Sequence, residues 1–349
     1  MNTYGIHTFE IMIPHLSKQD YRLLKDKLKP ISEYVKDGKY YLVHTQRDSG
    51  VRIRLYTNPN FPPYLTVIVN PWKLLNKVRT PMDHAMILLP GFDKKALRDR
   101  LCKQLRIYIG DKFEIKRFML TRIDCTTDIS FDNSHCSGVY INQVRNSIGW
   151  AVEKEKKKYD DPETYRYYFK LSQPGFYSFT VYDKIYDLMR MGKLTDKLSN
   201  HGLLRFELSF EHRKINDVKK ELGTDDIIDL AEYYTDHSEE FIKKFIQQRF
   251  APGDFYSFSA VQKYLENNCR RKMRYKLITL LNGSEDMNRR ELENKMYRIF
   301  ESESKIRTVK NAMKELEIAP TLIPCRYDME YLPGLNKLFD ISDRQRSDK

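Results

Sequence analysis

Residues 119–128 read MLTRIDCTTD, residues 178–184 SFTVYDK and residues 203–210 LLRFELSF. Each alternates apolar and polar residues with period 2, the pattern of a strand with one face buried. The phase of the alternation assigns the side chains. Arg122, Asp124, Thr126 and Asp128 share one face of the first stretch. In the second, Tyr177, Phe179 and Val181 oppose Ser178, Thr180, Tyr182 and Lys184. In the third, Leu204, Phe206, Leu208 and Phe210 make an apolar stripe, leaving Arg205 and Glu207 opposite. Strands of this kind in one sheet would gather carboxylates, a tyrosine, a lysine and two arginines on its polar face.

Outward from these stretches, the N-terminal part reads as α+β. Tyr4–Ile13 is a predicted strand, and residues 17–28 a predicted helix with Ser17 as N-cap. Residues 40–44 and 51–56 flank RDSG and read as a hairpin. Its Arg52, Arg54 and Tyr56 face away from Val51, Ile53 and Leu55. Residues 64–69 are another strand, ending at Asn70-Pro71-Trp72-Lys73. Residues 94–108, 139–157 and 214–222 read as helices, and the charged residues 153–163 as a solvated loop overlapping the fraying end of the second. From residue 225 on, the 3.6-residue period dominates over 225–250, 260–281, 289–301 and 305–316, with APGD (251–254) as the clearest break. The expected architecture is α+β: an antiparallel-type central sheet with flanking helices forming a nuclease domain, residues 1–222, then an all-helical DNA-binding or accessory domain, residues 223–349. The tail from residue 340 is polar and expected to fray.

The chain has 349 residues and a net charge of +13, with 24 Tyr and 18 Phe. That balance points to a polyanionic partner, most simply nucleic acid, and the aromatics to unpaired bases on which rings stack. Most of those rings are nonetheless expected in the core. The five cysteines are odd in number, widely spaced and without a CxxC pair. Neither a disulfide framework nor a zinc knuckle is expected, and a reducing cytoplasm fits. The N-terminus lacks the pattern of a signal peptide, and no run of 18 apolar residues would span a membrane. A P-loop and a GxSxG nucleophile motif are both missing.

Two carboxylates from neighbouring strands can hold a hard divalent cation, Mg²⁺ or Mn²⁺, through oxygen. Asp124 and Glu207 are the candidate ligands, with Asp128 as a third. Such a cation polarises a scissile phosphate, and a tyrosine then serves as nucleophile and keeps the 5′ end as a phosphotyrosine. Tyr182 is placed for this, and Lys184, two residues on, could lower its pKa or stabilise the pentacovalent phosphorus. Arg122 and Arg205 could clamp phosphate oxygens. Equally, an Arg-x-Asp or Arg-x-Glu on a strand is often a cross-strand ion pair and nothing more. None of the eight histidines forms a His-hydrophobe-His pair. His201 and His212, flanking the third stretch, are the candidate assisting imidazoles.

The order RIDCTTD, VYDKIYDL, LLRFELSF resembles the gene II/X replication initiators of filamentous phages and, more distantly, the Rep_trans-type plasmid initiators. YLTVIVNPWKLL (64–75) resembles a strand-then-NP element of the phage family, and residues 274–338 its helical tail. The resemblance implies initiation of rolling-circle replication: nicking one strand at an origin, covalent retention of the 5′ phosphate, and rejoining. It implies Tyr182 as nucleophile with Lys184 beside it. In the plasmid-type proteins the tyrosine lies on a later helix, which here offers Tyr233, Tyr234 or Tyr256, with Tyr186 as a further alternative. Asp187 stands where the plasmid proteins more often carry Glu. A conjugative relaxase of the same chemistry and a non-catalytic DNA-binding regulator are the alternative readings.

Origin DNA, double- and single-stranded, is the expected partner, and a host helicase a further candidate. Beyond Arg52, Arg54 and Arg122, the run NNCRRKMRYK (267–276) holds Arg270, Arg271, Lys272 and Arg274. Residues 288–316 read as helix, turn, helix, with Lys305, Arg307 and Lys310 on the second, a candidate helix-turn-helix. A helical bundle with a solvated basic face would give the same pattern.

Overall fold

In the computed structural model the described residues are 2–31, 33–36, 40–46, 49–58, 60–147, 154–155, 166–194 and 201–341. Ten strands form one sheet: β1 (Tyr4–Ile13), β2 (Glu33–Lys36), β3 (Tyr40–Gln46), β4 (Val51–Asn58), β5 (Phe61–Val69), β6 (Met119–Phe131), β7 (Lys154–Glu155), β8 (Tyr168–Gln173), β9 (Tyr177–Asp183) and β10 (Gly202–Glu211). Their order is β2-β3-β4-β5-β1-β6-β10-β9-β8-β7, antiparallel at every pairing. The three stretches that open the sequence reading are neighbours, with β10 between β6 and β9.

The predicted alternation is realised. Ile123, Cys125, Phe179, Val181, Leu204, Phe206 and Leu208 are buried in the main core. A one-residue slip of β10 would turn this stripe to the other face, so burial fixes the register. That core is completed by α1 (Lys18–Leu28), α3 (Lys94–Ile109), α4 (His135–Asn146), α6 (His212–Leu222), α7 (Ile227–Asp236) and α8 (Ser238–Arg249), where α2 is the short Pro71–Leu75 and α5 is Lys184–Arg190. Ser17 caps α1 as predicted, accepting a hydrogen bond from the Asp20 amide.

The main core runs past residue 222. Ile228, Leu230 and Tyr234 of α7 and Ile242 and Ile246 of α8 belong to it. Phe339, close to the chain's end, also belongs, and meets Phe206 edge-on at 4.8 Å. A second core starts at Val261 and is shared by α9 (Phe258–Asn268), α10 (Arg271–Leu281), α11 (Arg289–Phe300) and α12 (Glu303–Glu315). A two-residue ladder, β11 (Phe255–Tyr256) with β12 (Tyr331–Leu332), precedes α13 (Leu335–Leu338). No helix among the described residues is long and apolar enough to cross a membrane.

Three element boundaries differ from the sequence reading. The helix expected over 139–157 is α4, which ends at Asn146. Lys154–Glu155 instead pair with β8 as a short strand, and the remainder of that segment, with most of the charged loop, lies outside the described residues. The periodic stretch 225–250 is two helices broken at His237, and 260–281 is two broken at Cys269–Arg270. A 3.6-residue period survives such breaks when successive helices bury the same side, so periodicity alone does not reveal them.

Candidate functional site

The polar face of the sheet gathers the predicted side chains through register. On β10, Arg205 stands opposite Asp128 of β6 on one side and Tyr182 of β9 on the other. Glu207, two residues on, is diagonal to Tyr182 and opposite Thr126. The Tyr182 hydroxyl donates to Glu207 Oε1 at 2.9 Å. Tyr182 is 8% exposed, so its ring is enclosed while its polar end meets the carboxylate.

Arg205 is fully buried. Its Nε and Nη2 meet the two Asp128 oxygens at 2.7 and 2.6 Å, a two-pronged pair. Nη2 also donates to the Ala85 carbonyl in the 3₁₀ turn Pro81–Ala85, which roofs this end of the face with α5. Nη1 makes no hydrogen bond among the described residues and lies 4.0 Å from Glu207 Oε1. A buried guanidinium without its partner would cost several kcal/mol, so Asp128 is committed to holding Arg205. That leaves Asp128 poorly suited to be the third cation ligand.

Asp124 lies across β6 toward β1. It accepts a hydrogen bond from Thr8 Oγ1 and is paired with Arg122, whose Nε is 3.2 Å from Oδ1. The Asp124 charge raises the pKa of Arg122.

His7 is the residue the sequence reading missed. Its Nδ1 lies 2.9 Å from Glu207 Oε1, the oxygen that also accepts from Tyr182. Burial, then the charge on Arg205, lowers the His7 pKa, so the ring is neutral and Nδ1–H is the donor to the carboxylate. Burial alone would raise Glu207. The hydrogen bond and the electrostatic interaction with His7, then the charges of Arg205 and Lys184, outweigh it and hold the carboxyl well below its usual range. Tyr182 moves the other way, raised well above an ordinary phenol by burial and by the neighbouring Glu207.

His7 reaches this face through a β-bulge. Ile6 pairs with Cys125 and Phe9 with Ile123, so that His7 and Thr8 of β1 stand against Asp124 alone of β6. The extra residue lets both His7 and Thr8 leave the core side, one toward Glu207 and the other toward Asp124. The signal was present: Ile6 and Phe9 are three apart, whereas Phe9, Ile11 and Ile13 keep period 2. His201 and His212 are exposed at opposite ends of β10, away from this group.

Lys184 does not continue the strand. Asp183 caps α5 by accepting from the Tyr186 amide, and Lys184 is its first residue. It is buried, paired with Asp187 at 2.9 Å, and its Nζ lies 5.5 Å from the centre of the Tyr182 ring. The other tyrosines lie elsewhere. Tyr234 is fully buried on the apolar side against Phe210, and Tyr233 packs beside it. Tyr256 stacks on Tyr264 near the second core, with its hydroxyl pushed up to about 12 by burial and by Asp254. Tyr186 stacks on Tyr167 in a cavity of about 360 Å³ that also holds His135 and His201.

The basic residues fall in two places. Arg52, Arg54 and Arg122 lie on strands of the sheet, Arg52 exposed and Arg54 half-buried near a stacked Tyr56–Tyr64 pair. Arg270, Arg271, Lys272, Arg274, Lys305, Arg307 and Lys310 lie on the helical unit with the second core.

Among the described residues no three His, Cys, Asp or Glu side chains form a metal-binding group. A cage closed by protein ligands is therefore not what these residues build. Mg²⁺ commonly takes one or two carboxylates and completes its shell with water and substrate phosphate. Asp124 and Glu207, with Glu207 already ionised, fit that looser pattern.

No family model matches the chain. No curated protein matches it. Among solved structures it is similar to a rolling circle replication initiator protein from Geobacillus stearothermophilus, at 11% identity and a TM-score of 0.33, over 71% of this chain and 86% of that one. A likeness this slight carries no weight for the role of any residue.

Proposed function

We propose that the chain is a tyrosine strand-transferase that nicks and rejoins one strand of DNA at a replication origin, in the manner of a rolling-circle initiator. The observation that carries this reading is the 2.9 Å contact between the Tyr182 hydroxyl and Glu207, on a face that also holds Asp124, Arg205 and His7. Tyr233 and Tyr234, by contrast, pack among aromatic rings on the apolar side of the sheet. In the step, Tyr182 Oη bonds to phosphorus as the P–O3′ bond breaks. The phenol proton passes by way of Glu207 to the departing 3′ oxygen, which leaves as a hydroxyl. Rejoining is the reverse. Tyr182 is a poor nucleophile while burial and Glu207 keep it protonated, so positive charge must favour the phenolate. Arg205 and Lys184 contribute it from within the chain. Mg²⁺ or Mn²⁺ held by Glu207 and Asp124 would supply Lewis-acid polarisation of the phosphate and further offset charge. The neutral His7 ring orients the carboxylate.

A second reading has a specific observation behind it. Each carboxylate already has a basic or donor partner: Asp124 with Arg122, Asp128 with Arg205, Glu207 with His7. In a non-catalytic DNA-binding protein these pairs would be structural. Incubation with supercoiled origin DNA and Mg²⁺ separates the two. The enzyme yields open circles and a protein–DNA adduct that survives SDS and disappears with EDTA. Tyr182→Phe should abolish the adduct and keep DNA binding, and Glu207→Gln should slow cleavage by about 10²-fold or more. An adduct that persists in Tyr182→Phe removes Tyr182 from the mechanism. A salt-sensitive shift without cleavage supports the binder. Nicking at a transfer origin instead of a replication origin would mark a relaxase.

A further inference from the structure

The basic residues of the helical unit are not equivalent once their surroundings are compared. The inner side of α10 is set by Leu277, Leu280 and Leu281, all fully buried in the second core. α9, α11 and α12 pack around it. Its outer side carries Arg271, Arg274 and Tyr275, at positions i, i+3 and i+4, and Ile278, half-buried against the second core, continues the row at i+7, about 10 Å in all. With Lys272 they line an open groove of about 550 Å³, and Tyr275 is 75% exposed. Residues 270–281 contain no Asp or Glu. Among the described residues no carboxylate pairs with Arg270, Arg271, Lys272 or Arg274, and the one polar contact of Arg274 is with the Glu266 carbonyl at 3.5 Å.

The sequence reading offered the helix carrying Lys305, Arg307 and Lys310 as a candidate to enter a groove, beside the basic run 267–276. In the structure α12 carries acid of its own: Glu303 lies in its first turn, Glu315 is its last residue, and Lys310 is paired with Glu293 at 3.1 Å. By contrast, α9 and α10 are joined across only Cys269 and Arg270, a helix–tight-turn–helix whose second member presents the unbalanced cations. Crowding cations at the start of α10, where the helix dipole is already positive, costs the free helix stability. Nothing among the described residues offsets that charge.

The geometry points to α10 as a duplex-DNA contact surface, separate from the tyrosine face, with Arg271, Lys272 and Arg274 on backbone phosphates and Tyr275 at the groove. It rests on the proposed function only in taking DNA as the polyanion, and it does not require the nicking chemistry. A rigid, straight ridge held by three neighbouring helices suits a regular double helix better than a flexible single strand.

The test uses the full chain and a labelled duplex of mixed sequence, with affinity measured by fluorescence anisotropy from about 50 to 200 mM salt. Arg271→Ala/Arg274→Ala should lower duplex affinity at least tenfold at low salt and shrink the slope of log K against log salt by about 2. Lys305→Ala/Arg307→Ala should change neither much. Thermal unfolding should match the parent in both variants. Single-stranded oligonucleotide binding should survive in the α10 variant. Unchanged affinity and slope in the α10 variant would overturn the inference, as would a loss confined to the α12 variant. An equal loss of single-strand binding would reduce α10 to a general polyanion patch and overturn the duplex assignment. Anisotropy reads binding and not cleavage, so failure of the nicking reading leaves this result distinct.

Discussion

Glu207 Oε1 accepts from two donors at once, the His7 ring and the Tyr182 hydroxyl, while a buried guanidinium stands 4.0 Å away. The consequence is acid sensitivity. His7 has a folded-state pKa below its ordinary 6.5, so the unfolded chain takes up a proton there before the folded chain does. Stability contributed by the neutral ring is present above about 6.5 and declines as pH falls below it. Glu207, also lowered, adds a second loss below its ordinary 4.5. Urea midpoints measured from about pH 8 to pH 5 should fall with pH, and His7→Gln should flatten that decline while leaving the more acidic limb. A parallel decline in the variant would show that His7 is not the titrating group.

At the scale of elements, the working geometry depends on β1 being irregular. The bulge at His7–Thr8 is held from outside the sheet, where Ile6 exchanges backbone hydrogen bonds with Leu88 at 3.0 and 2.8 Å. Gly5 permits this approach, because a Cβ there would intrude on the Leu88 carbonyl oxygen. Residues 81–88 include the Ala85 carbonyl that receives Arg205. Gly5→Ala should therefore destabilise the chain by about 1–3 kcal/mol, as overpacking does. It should also reduce cleavage more than Gly138→Ala in α4, where an added Cβ meets nothing closer than 3.8 Å. Denaturant titration and the nicking assay check this, and equal effects at the two glycines would refute it. The faces of β6, β9 and β10 were legible because burial enforces period 2 over whole strands. The bulge was not, because one added residue leaves only a local break in phase. The end of β9 was hidden too, since Lys184, the first residue of α5, falls in sequence where one more alternating polar residue would stand.

At the scale of the molecule, residues 338 and 339 return to the start of β1 and to β10. The Asn2 side chain donates to the Leu338 carbonyl, and Phe339 is 1% exposed against Phe206, whose neighbours along β10 are Arg205 and Glu207. The segment between crosses near Asp254, which accepts from the Gly334 amide, Tyr331 and Lys337. Phe339→Ala should cost about 3–5 kcal/mol, the range for a buried aromatic. The loss should appear in unfolding of the sheet core, read by near-ultraviolet circular dichroism, not in the helical unit alone. Unfolding confined to the second core would contradict it. The boundary expected at residue 222 follows the change from alternating to helical periodicity. The packing places α7 and α8 with the sheet, because periodicity reports which side of a helix is buried and not what buries it.

By itself the sequence determined that an alternating polar face would exist, that Asp124, Arg205, Glu207 and Tyr182 would lie on it, and that basic charge would gather on α10. Local steric period and burial of apolar side chains suffice for that. Only the tertiary structure decided that Tyr182 meets Glu207, that Asp128 is taken by Arg205, that His7 joins the group and that the α10 cations meet no carboxylate among the described residues. These are contacts between residues up to 200 positions apart. They depend on strand order, register and a bulge, which arise when separate elements bury a common core.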